Sequence, residues 1–404
     1  LAQDIRGIGF KTADKIAQQL GMDPMSPFRA QGALIHTLSE LADEGHVFAP
    51  ATQLVAACMQ LVDLPEDLLL DALKPLQELG RVAREGDSVY LRGMYQAERG
   101  AADRLKVLLT APSKRRPFDA DKAVTWSQER MGLELTETQQ QAVRMAVTEK
   151  VSVLTGGPGT GKTTILRAVL AIMEALKLQV ALAAPTGRAA KRLAAATGRE
   201  ARTLHRLLDF KPGEGRFNYN PDNPLPFDVL IVDETSMVDT LLLYHLLGAI
   251  PRQASLLLVG DVDQLPSVGP GNVLGDILSS GAIPSIRLTH IFRQGEGSQI
   301  VEQAHRINQG QMPQQTRRQQ SDFYVITAED PERAVELVVQ LCSERIPRRF
   351  GLDPMKDIQV LCPMNRGSVG VQALNCQLQE VLNPTRPTVT RFGRTFRPGD
   401  RVLQ

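Results

Sequence analysis

The octapeptide Gly156-Gly157-Pro158-Gly159-Thr160-Gly161-Lys162-Thr163 constrains this chain of 404 residues more than any other stretch. It follows an apolar run, Val151 to Leu154, and opens a helical pattern from Thr164 to Ala175. A glycine-rich turn between a buried strand and a helix belongs to an α/β fold, in which successive amides curl round an anion at the helix N-terminus. Gly157, Gly159 and Gly161 give the backbone that curvature, and Thr160 and Thr164 belong to the same nucleotide-binding set. Lys162 has the reach for the β and γ phosphates, and Thr163 offers a hydroxyl to Mg²⁺. The stretch therefore implies ATP and Mg²⁺ as ligands.

Such a loop needs a second half, because the metal wants a carboxylate and the attacking water wants a base. Asp228-Val229-Leu230-Ile231-Val232-Asp233-Glu234 supplies both at the end of another apolar run. Its spacing puts Asp233 at the sheet's carboxyl edge to hold Mg²⁺ through water, with Glu234 beside it to activate the hydrolytic water. An acidic pair after a strand also serves as a helix N-cap, a reading that the nearby phosphate loop disfavours. A third run, Leu256 to Val259, leads into Gly260-Asp261-Val262-Asp263-Gln264, which puts the Gln264 amide where it contacts a γ phosphate. A simple turn accounts for Gly260 and Asp261 alone, but not for three successive strands that end in nucleotide chemistry.

Around these motifs, apolar runs alternate with helical stretches: Val151 to Leu154, Gln179 to Ala184, Val229 to Val232, Ser255 to Val259 and Ile358 to Leu361. That alternation predicts a parallel sheet covered by helices. Gln309 to Gln320 is a polar low-complexity stretch and reads as a mobile surface loop. With 43% hydrophobic and 23% charged residues the chain is globular, and a net charge of +1 means that a polyanion must be held by local patches. Four cysteines without a C-x-x-C pair suggest neither zinc nor a disulfide framework. No apolar run is long enough for a membrane span, so a soluble, cytoplasmic setting is expected.

The N-terminal part reads as small helical modules. Residues 1–25, with Ile5, Ile8, Ala13, Ile16 and Leu20 around Gly7-Ile8-Gly9, suit either a helix-hairpin-helix touching phosphate near Lys11 and Lys15, or a plain packed hairpin. Residues 26–110 hold three helical patterns and a Val82 to Leu91 hairpin around Gly86-Asp87, a winged-helix-like module. The acidic Asp63, Glu66, Asp67 and Asp71 favour a structural or docking role for it. Residues 111–130, with the basic Pro-containing joint Ala111 to Arg116, read as a linker.

Further short stretches then fall in an order that resembles superfamily 1 helicases of the RecD-like branch, over roughly Leu135 to Gln404. Leu135-Thr136-Glu137-Thr138-Gln139 is similar to the adenine-reading segment, with Gln139 as the base contact. Ala184-Pro185-Thr186-Gly187-Arg188 and Thr203-Leu204-His205-Arg206 are similar to segments that touch single-stranded DNA. Thr289-His290-Ile291-Phe292-Arg293-Gln294 resembles the segment whose arginine reaches the γ phosphate, a role that falls to Arg293. Val360 to Gly367 resembles a DNA-facing strand end, with Asn365 and Arg366 as contacts.

The chemistry of Pro185, Thr186, Arg188, Thr203, His205, Asn365 and Arg366 suits phosphate and sugar without sequence readout. N-caps for Thr186 and Thr203, and a core position for His205, are the plainer alternatives. The resemblance implies a strand-separating pin, inserted at about 209–227, in which Phe217 and Tyr219 either stack on a base or cover an apolar edge. The arginines 386, 391, 394, 397 and 401 either follow a phosphate backbone or are solvated hairpin charge.

The expected fold class is α/β, with tandem RecA-like P-loop motor domains at 131–290 and 291–404, the second truncated, after the helical modules. The resemblance implies an ATP-dependent DNA helicase moving 5′ to 3′ in repair or recombination. Its partners would be single-stranded DNA and single-strand/duplex junctions, and it would act as a nucleoid-associated monomer without RecB/RecC-type subunits or a membrane. A translocase that does not unwind, a non-catalytic DNA-binding adaptor and a phosphate-loop kinase are the rivals. The family's later segments, including an arginine that completes the ATP site, do not occur before Gln404. The intact protein is therefore expected to continue, and this stretch to hydrolyse ATP slowly.

Overall fold

The computed structural model describes residues 9–290, 298–314, 321–385, 387–391 and 393–402. The chain divides into two compact units, Leu1–Glu296 and Gly297–Gln404.

The first unit opens with α1 (Phe10–Gln19), α2 (Pro27–Asp43), β1 (Phe48–Pro50), α3 (Ala51–Leu61), α4 (Glu66–Glu78), β2 (Val82–Glu85), β3 (Ser88–Leu91) and α5 (Arg92–Thr110). Strands β2 and β3 pair antiparallel across Gly86-Asp87, and β1 joins the free edge of β3. Leucines at helical spacing on α2, α3 and α4, among them Leu34, Leu54, Leu69 and Leu76, are fully buried and form one core with Val82 and Val89. Lys11 and Lys15 on α1 are exposed, while Ile5, Gly7 and Ile8 lie outside the described residues.

The rest of the unit follows in the order α6 (Ala120–Met131), α7 (Glu137–Thr148), β4 (Val151–Gly156), α8 (Lys162–Ala175), β5 (Val180–Ala184), α9 (Gly187–Thr197), β6 (Ala201–Thr203) and α10 (Leu204–Leu207). After these come β7 (Phe210–Lys211), β8 (Arg216–Phe217), β9 (Val229–Val232), α11 (Thr240–Ala249), β10 (Ser255–Gly260), α12 (Val273–Ser280) and β11 (Ser285–Leu288). Six strands pair in the order β11-β4-β10-β9-β5-β6, and every pairing is parallel. Strands β4, β9 and β10 are buried along their whole length, as near-continuous apolar runs require when helices cover both faces. The chain leaves β4 towards β5 and leaves β10 across β4 to β11, so strand order reverses between β4 and β10. A crevice at the carboxyl ends of the strands opens at such a switch point.

Residues 111–130 are not a linker throughout. Asp119 caps α6 by accepting from the amide of Lys122 at 3.1 Å, and Val124 is buried with Trp126 packed into the core that α7 and α8 form on the sheet. The apolar positions Phe118, Ala120, Ala123 and Trp126 line one side, a signal that the basic and proline-containing residues before them obscured. The joint itself is tied down. Lys114 Nζ donates to Asp228 at 2.8 Å, and the guanidinium of Arg115 donates to the carbonyls of Val147, Thr148 and Glu149 at the end of α7.

The second unit contains α13 (Gln299–Asn308), α14 (Pro331–Gln340), a π turn at Leu341–Arg345, α15 (Ile346–Phe350), α16 (Val371–Leu382), and the hairpin β12 (Val389–Arg391) with β13 (Arg394–Phe396). Ile358 to Leu361, expected as a strand, has no ladder partner among the described residues, and Leu361 is 88% exposed. A parallel strand exists only when paired, and the described residues of this unit hold no parallel sheet. Residues 315–320 of the expected mobile loop lie outside the described residues. Arg397 is not free to follow a backbone: it pairs with Glu380 and donates to the Asn383 carbonyl at 2.9 Å, whereas Arg391 and Arg394 are exposed and Arg386 is not described.

Candidate active site

The phosphate loop sits where β4 ends and α8 begins. Gly159 and Gly161 hold φ of 79° and 90°, the left-handed region that costs an L side chain energy and that the loop needs to turn its amides inward. Thr160 is buried, and its hydroxyl donates to the Gly157 carbonyl at 2.8 Å. Thr163 and Thr164 fall in the first turn of α8, Thr163 exposed. Lys162 Nζ donates to the carbonyls of Gly156 and Gly157, so the loop cradles its own ammonium. Burial pushes the Lys162 pKa down, against the opposing pull of Asp261, Asp233 and Glu234. An ammonium that is desolvated and held only by neutral carbonyls gains from an arriving polyphosphate.

Strands β9 and β10 bring acids to the same edge. Asp233 follows β9, and its amide donates to the Ala183 carbonyl of β5 at 2.9 Å. Burial raises the pKa of Asp233 first of all, opposed by the Glu234 amide donating to its Oδ1 at 2.9 Å and by the charge of Lys162. Burial also raises that of Glu234, assisted by its neighbour Asp233. Glu234 holds φ 54°, one of three non-glycine residues with positive φ among the described residues, and the outlier marks a strained site. Past β10, Asp261 is 3% exposed and accepts from the Asp263 amide at 3.1 Å and from Gln264 Nε2 at 3.2 Å. Gln264 itself is exposed.

The described residues contain no group of three or more His, Cys, Asp or Glu side chains able to hold a metal on their own. The donor set present, Thr163 and Asp233, fits Mg²⁺ kept largely by water and phosphate oxygens, the usual mode for that ion. The expected adenine reader Gln139 is buried, and its side chain accepts from the Thr136 amide at 3.1 Å in a capping box that starts α7. Arg293 lies outside the described residues.

Comparison with known proteins bears on this arrangement directly. Residues 139–270 match the model of an AAA domain, and residues 1–48 match the model described as the ATP-dependent RecD2 DNA helicase HHH domain. An ATP-dependent RecD2 DNA helicase from Deinococcus radiodurans is 35% identical over 99% of this chain and 56% of its own length. The RecD subunit of the RecBCD enzyme from Mycolicibacterium smegmatis is 34% identical over 81% of this chain and 65% of its own length. Along nearly its whole length the chain is similar to proteins of the RecD-like family. It spans just over half the length of the Deinococcus relative. The Pif1 helicase of Candida albicans is similar at 24% identity over 45% of each chain, with a TM-score of 0.35, too low a likeness to speak to the fold. The fold class is the expected one: a RecA-like P-loop α/β motor preceded by mostly helical modules.

The remaining candidates divide by environment. Thr186 and Thr203 cap α9 and α10, accepting from the amides of Ala189 at 3.2 Å and Arg206 at 3.3 Å, so the N-cap reading holds for both. Pro185 is half-buried and Arg188 exposed at the start of α9. His205 is exposed and not a core residue, with its ring against Phe210 and Phe217 at 5.9 and 5.8 Å between centroids. Phe217 and Tyr219 pack on the sheet core, so both cover an apolar edge in this structure; the β7–β8 hairpin rises from that support. Asn365 and Arg366 are exposed in the turn before α16 of the second unit.

Two groups were missed in the sequence. Arg192 on α9 comes within 3.7 Å of Glu234, and Arg104 on α5 donates to the Tyr244 carbonyl at 2.6 Å with its guanidinium 4.0 Å above the Tyr244 ring. Arg192 is visible in sequence only as one more helix charge. Its partner is set by the β5–β9 pairing, which no local pattern reports.

Proposed function

We propose that this chain is the ATP-driven motor part of a DNA helicase that moves 5′ to 3′ on single-stranded DNA and parts duplex at a junction, in repair or recombination. The observation that carries the reading is the meeting of Lys162, Asp233 and Glu234 at the carboxyl edge of β4 and β9, coupled by charge and desolvated together. Lys162 and the loop amides bind and orient the β and γ phosphates, with Gln139 at the base and Arg293 at the γ phosphate. Thr163 and Asp233 would hold Mg²⁺, which when bound offsets charge on the phosphate oxygens. Glu234 takes a proton as the oxygen of water bonds to the γ phosphorus and the bridging oxygen leaves with ADP. Its raised pKa suits that role, because a base works best when its pKa approaches the working pH. Gln264, tethered to Asp261, is set to sense the γ phosphate.

Single-stranded DNA is read through Pro185, Thr186, Arg188, Thr203, His205, Asn365 and Arg366, and Phe217 and Tyr219 brace the hairpin at about 209–227 as the pin. Motor domains at 131–290 and 291–404 follow a helix-hairpin-helix at 1–25 and a winged-helix-like module at 26–110. The protein works as a nucleoid-associated cytoplasmic monomer without RecB/RecC-type subunits. The names of the relatives support this reading, and no helix among the described residues is long and apolar enough to cross a membrane.

The test pairs turnover with strand release. Lys162→Ala is expected to abolish DNA-stimulated ATP hydrolysis, and unchanged turnover would refute the site assignment. On forked substrates the unaltered protein should release strands from 5′-tailed DNA only. ATP hydrolysis with no release from either tail would leave a translocase.

A further inference from the structure

Helix α9 joins two candidate functions through one side chain. Its start, Pro185-Thr186-Gly187-Arg188, emerges directly from β5, and β5 pairs in parallel with β9, Ala183 opposite Val232. That register puts the first turns of α9 beside the residues that follow β9. Arg192 lies one turn beyond Arg188, on the helix capped by Thr186. Its side chain is 69% exposed, yet Nη1 stands 3.7 Å from Oε1 of Glu234, whose side chain is 23% exposed. The charge of Arg192 is also felt at Asp233 and at Lys162.

The contact is an ion pair without a hydrogen bond in it, on a long, mostly solvated stem, and such pairs are weak and easily exchanged. A guanidinium presents the same planar fork to carboxylate and to phosphate, so the two compete for it. While the pair persists, the Glu234 carboxylate is drawn towards α9.

We propose that Arg192 is a positioning residue that restrains Glu234 while the protein is free of nucleic acid, and that a backbone phosphate of single-stranded DNA at the start of α9 takes the guanidinium and releases Glu234 for catalysis. The inference rests on the hydrolytic and DNA-binding reading above and adds the link between the two sites. DNA stimulation of hydrolysis then arises from exchange of one guanidinium between two anions. It needs no large rearrangement, because α9 and Glu234 are already held side by side by the sheet.

The experiment compares the full chain with Arg192→Ala and Arg192→Lys, measuring ATP turnover with and without oligo(dT), and oligo(dT) binding by fluorescence anisotropy across a salt series. Arg192→Ala is expected to raise DNA-free turnover about two- to fivefold and to shrink the stimulation ratio by the same factor, the yield of one weak ion pair. It should also lower the slope of log affinity against log salt by about one phosphate contact. Arg192→Lys, which keeps the charge but not the fork, falls between. Turnover that drops equally with and without DNA overturns the proposal, as does an unchanged stimulation ratio. An unchanged salt slope overturns it even if turnover is too slow to measure. Lys162→Ala separates the two failures: turnover that survives in that variant refutes the hydrolytic site itself, whatever Arg192 does.

Discussion

Asp233 and Glu234 stand in a place that resists their ionisation. Both pKa values are raised, with burial the leading cause. A carboxyl whose folded pKa exceeds its unfolded one favours folding while protonated, and that contribution is lost as pH rises through the folded value. Glu234→Gln removes the ionisation and should therefore stabilise the protein at pH 7.5 by about 0.5–2 kcal/mol, the usual scale on which a functional site trades stability for activity. The gain should hold above the folded pKa, shrink as pH falls through it, and vanish below the unfolded carboxyl pKa of about 4.3, where both forms are neutral. Urea melts at several pH values measure it. A gain independent of pH would assign the effect to the left-handed backbone at residue 234 instead. Turnover should fall in the same variant by about a hundredfold or more, since the amide accepts no proton.

Helices α5 and α11 meet through an exchange of side chains. A Cβ placed on Gly100 of α5 would lie 2.4 Å from the Tyr244 ring, and one on Gly248 of α11 would lie 2.9 Å from the Arg104 guanidinium. Each helix thus gives up a side chain to admit the other's. Tyr244 neighbours His245, whose ring lies 4.9 Å from Phe217 at the foot of the β7–β8 hairpin. Gly100→Leu should cost about 1–3 kcal/mol by overpacking, read as a lowered denaturation midpoint. Arg104→Ala should reduce strand release more than DNA-stimulated ATP turnover, because the β7–β8 hairpin, proposed above as the pin, loses its brace while the phosphate site is untouched; equal losses in both assays would contradict that division. This contact also marks a limit of reading by pattern. The central strands β4, β5, β9 and β10 were legible because burial on both faces makes them continuous apolar runs. The edge strands β6, Ala201-Arg202-Thr203, and β11, Ser285-Ile286-Arg287-Leu288, were not, since a strand with one neighbour carries polar residues and looks like loop. Asp233, Glu234 and the loop lysine were legible for the same local reason, each following a legible strand. Arg192 and Arg104 were not, because their partners are 42 and 140 residues away and only the folded sheet and helix pair bring them near.

The whole chain assembles as two compact units, and the groups assigned to phosphate chemistry gather in the first. Lys162, Thr163, Asp233, Glu234, Asp261 and Gln264 all lie there, just beyond the carboxyl ends of strands of one continuous sheet. The N-terminal modules are bound into the same unit at more than one place, the Gly271 amide donating to the Gly45 carbonyl at 2.9 Å among them. α5 interlocks with α11, and the joint after α5 is fastened by Lys114 on Asp228 and by Arg115 on the closing carbonyls of α7. A cation on those carbonyls also offsets the negative end of the helix dipole. Burial lowers the Arg115 pKa, but a guanidinium keeps its charge in proteins, so the strap persists across the physiological range. A fragment of residues 1–296 should therefore fold as one cooperative body and bind a fluorescent ADP analogue within about tenfold of the full chain, a difference under about 1.4 kcal/mol. It should not separate strands, because Asn365 and Arg366 are absent from it. Arg115→Ala in that fragment should lower its unfolding midpoint and leave a single transition if α5 and α11 suffice to hold the modules, whereas Arg104→Ala with Arg115→Ala should split the melt into two. Calorimetry of the three fragments decides the point: one transition in the double variant would mean that the modules and the motor are joined by contacts other than these two.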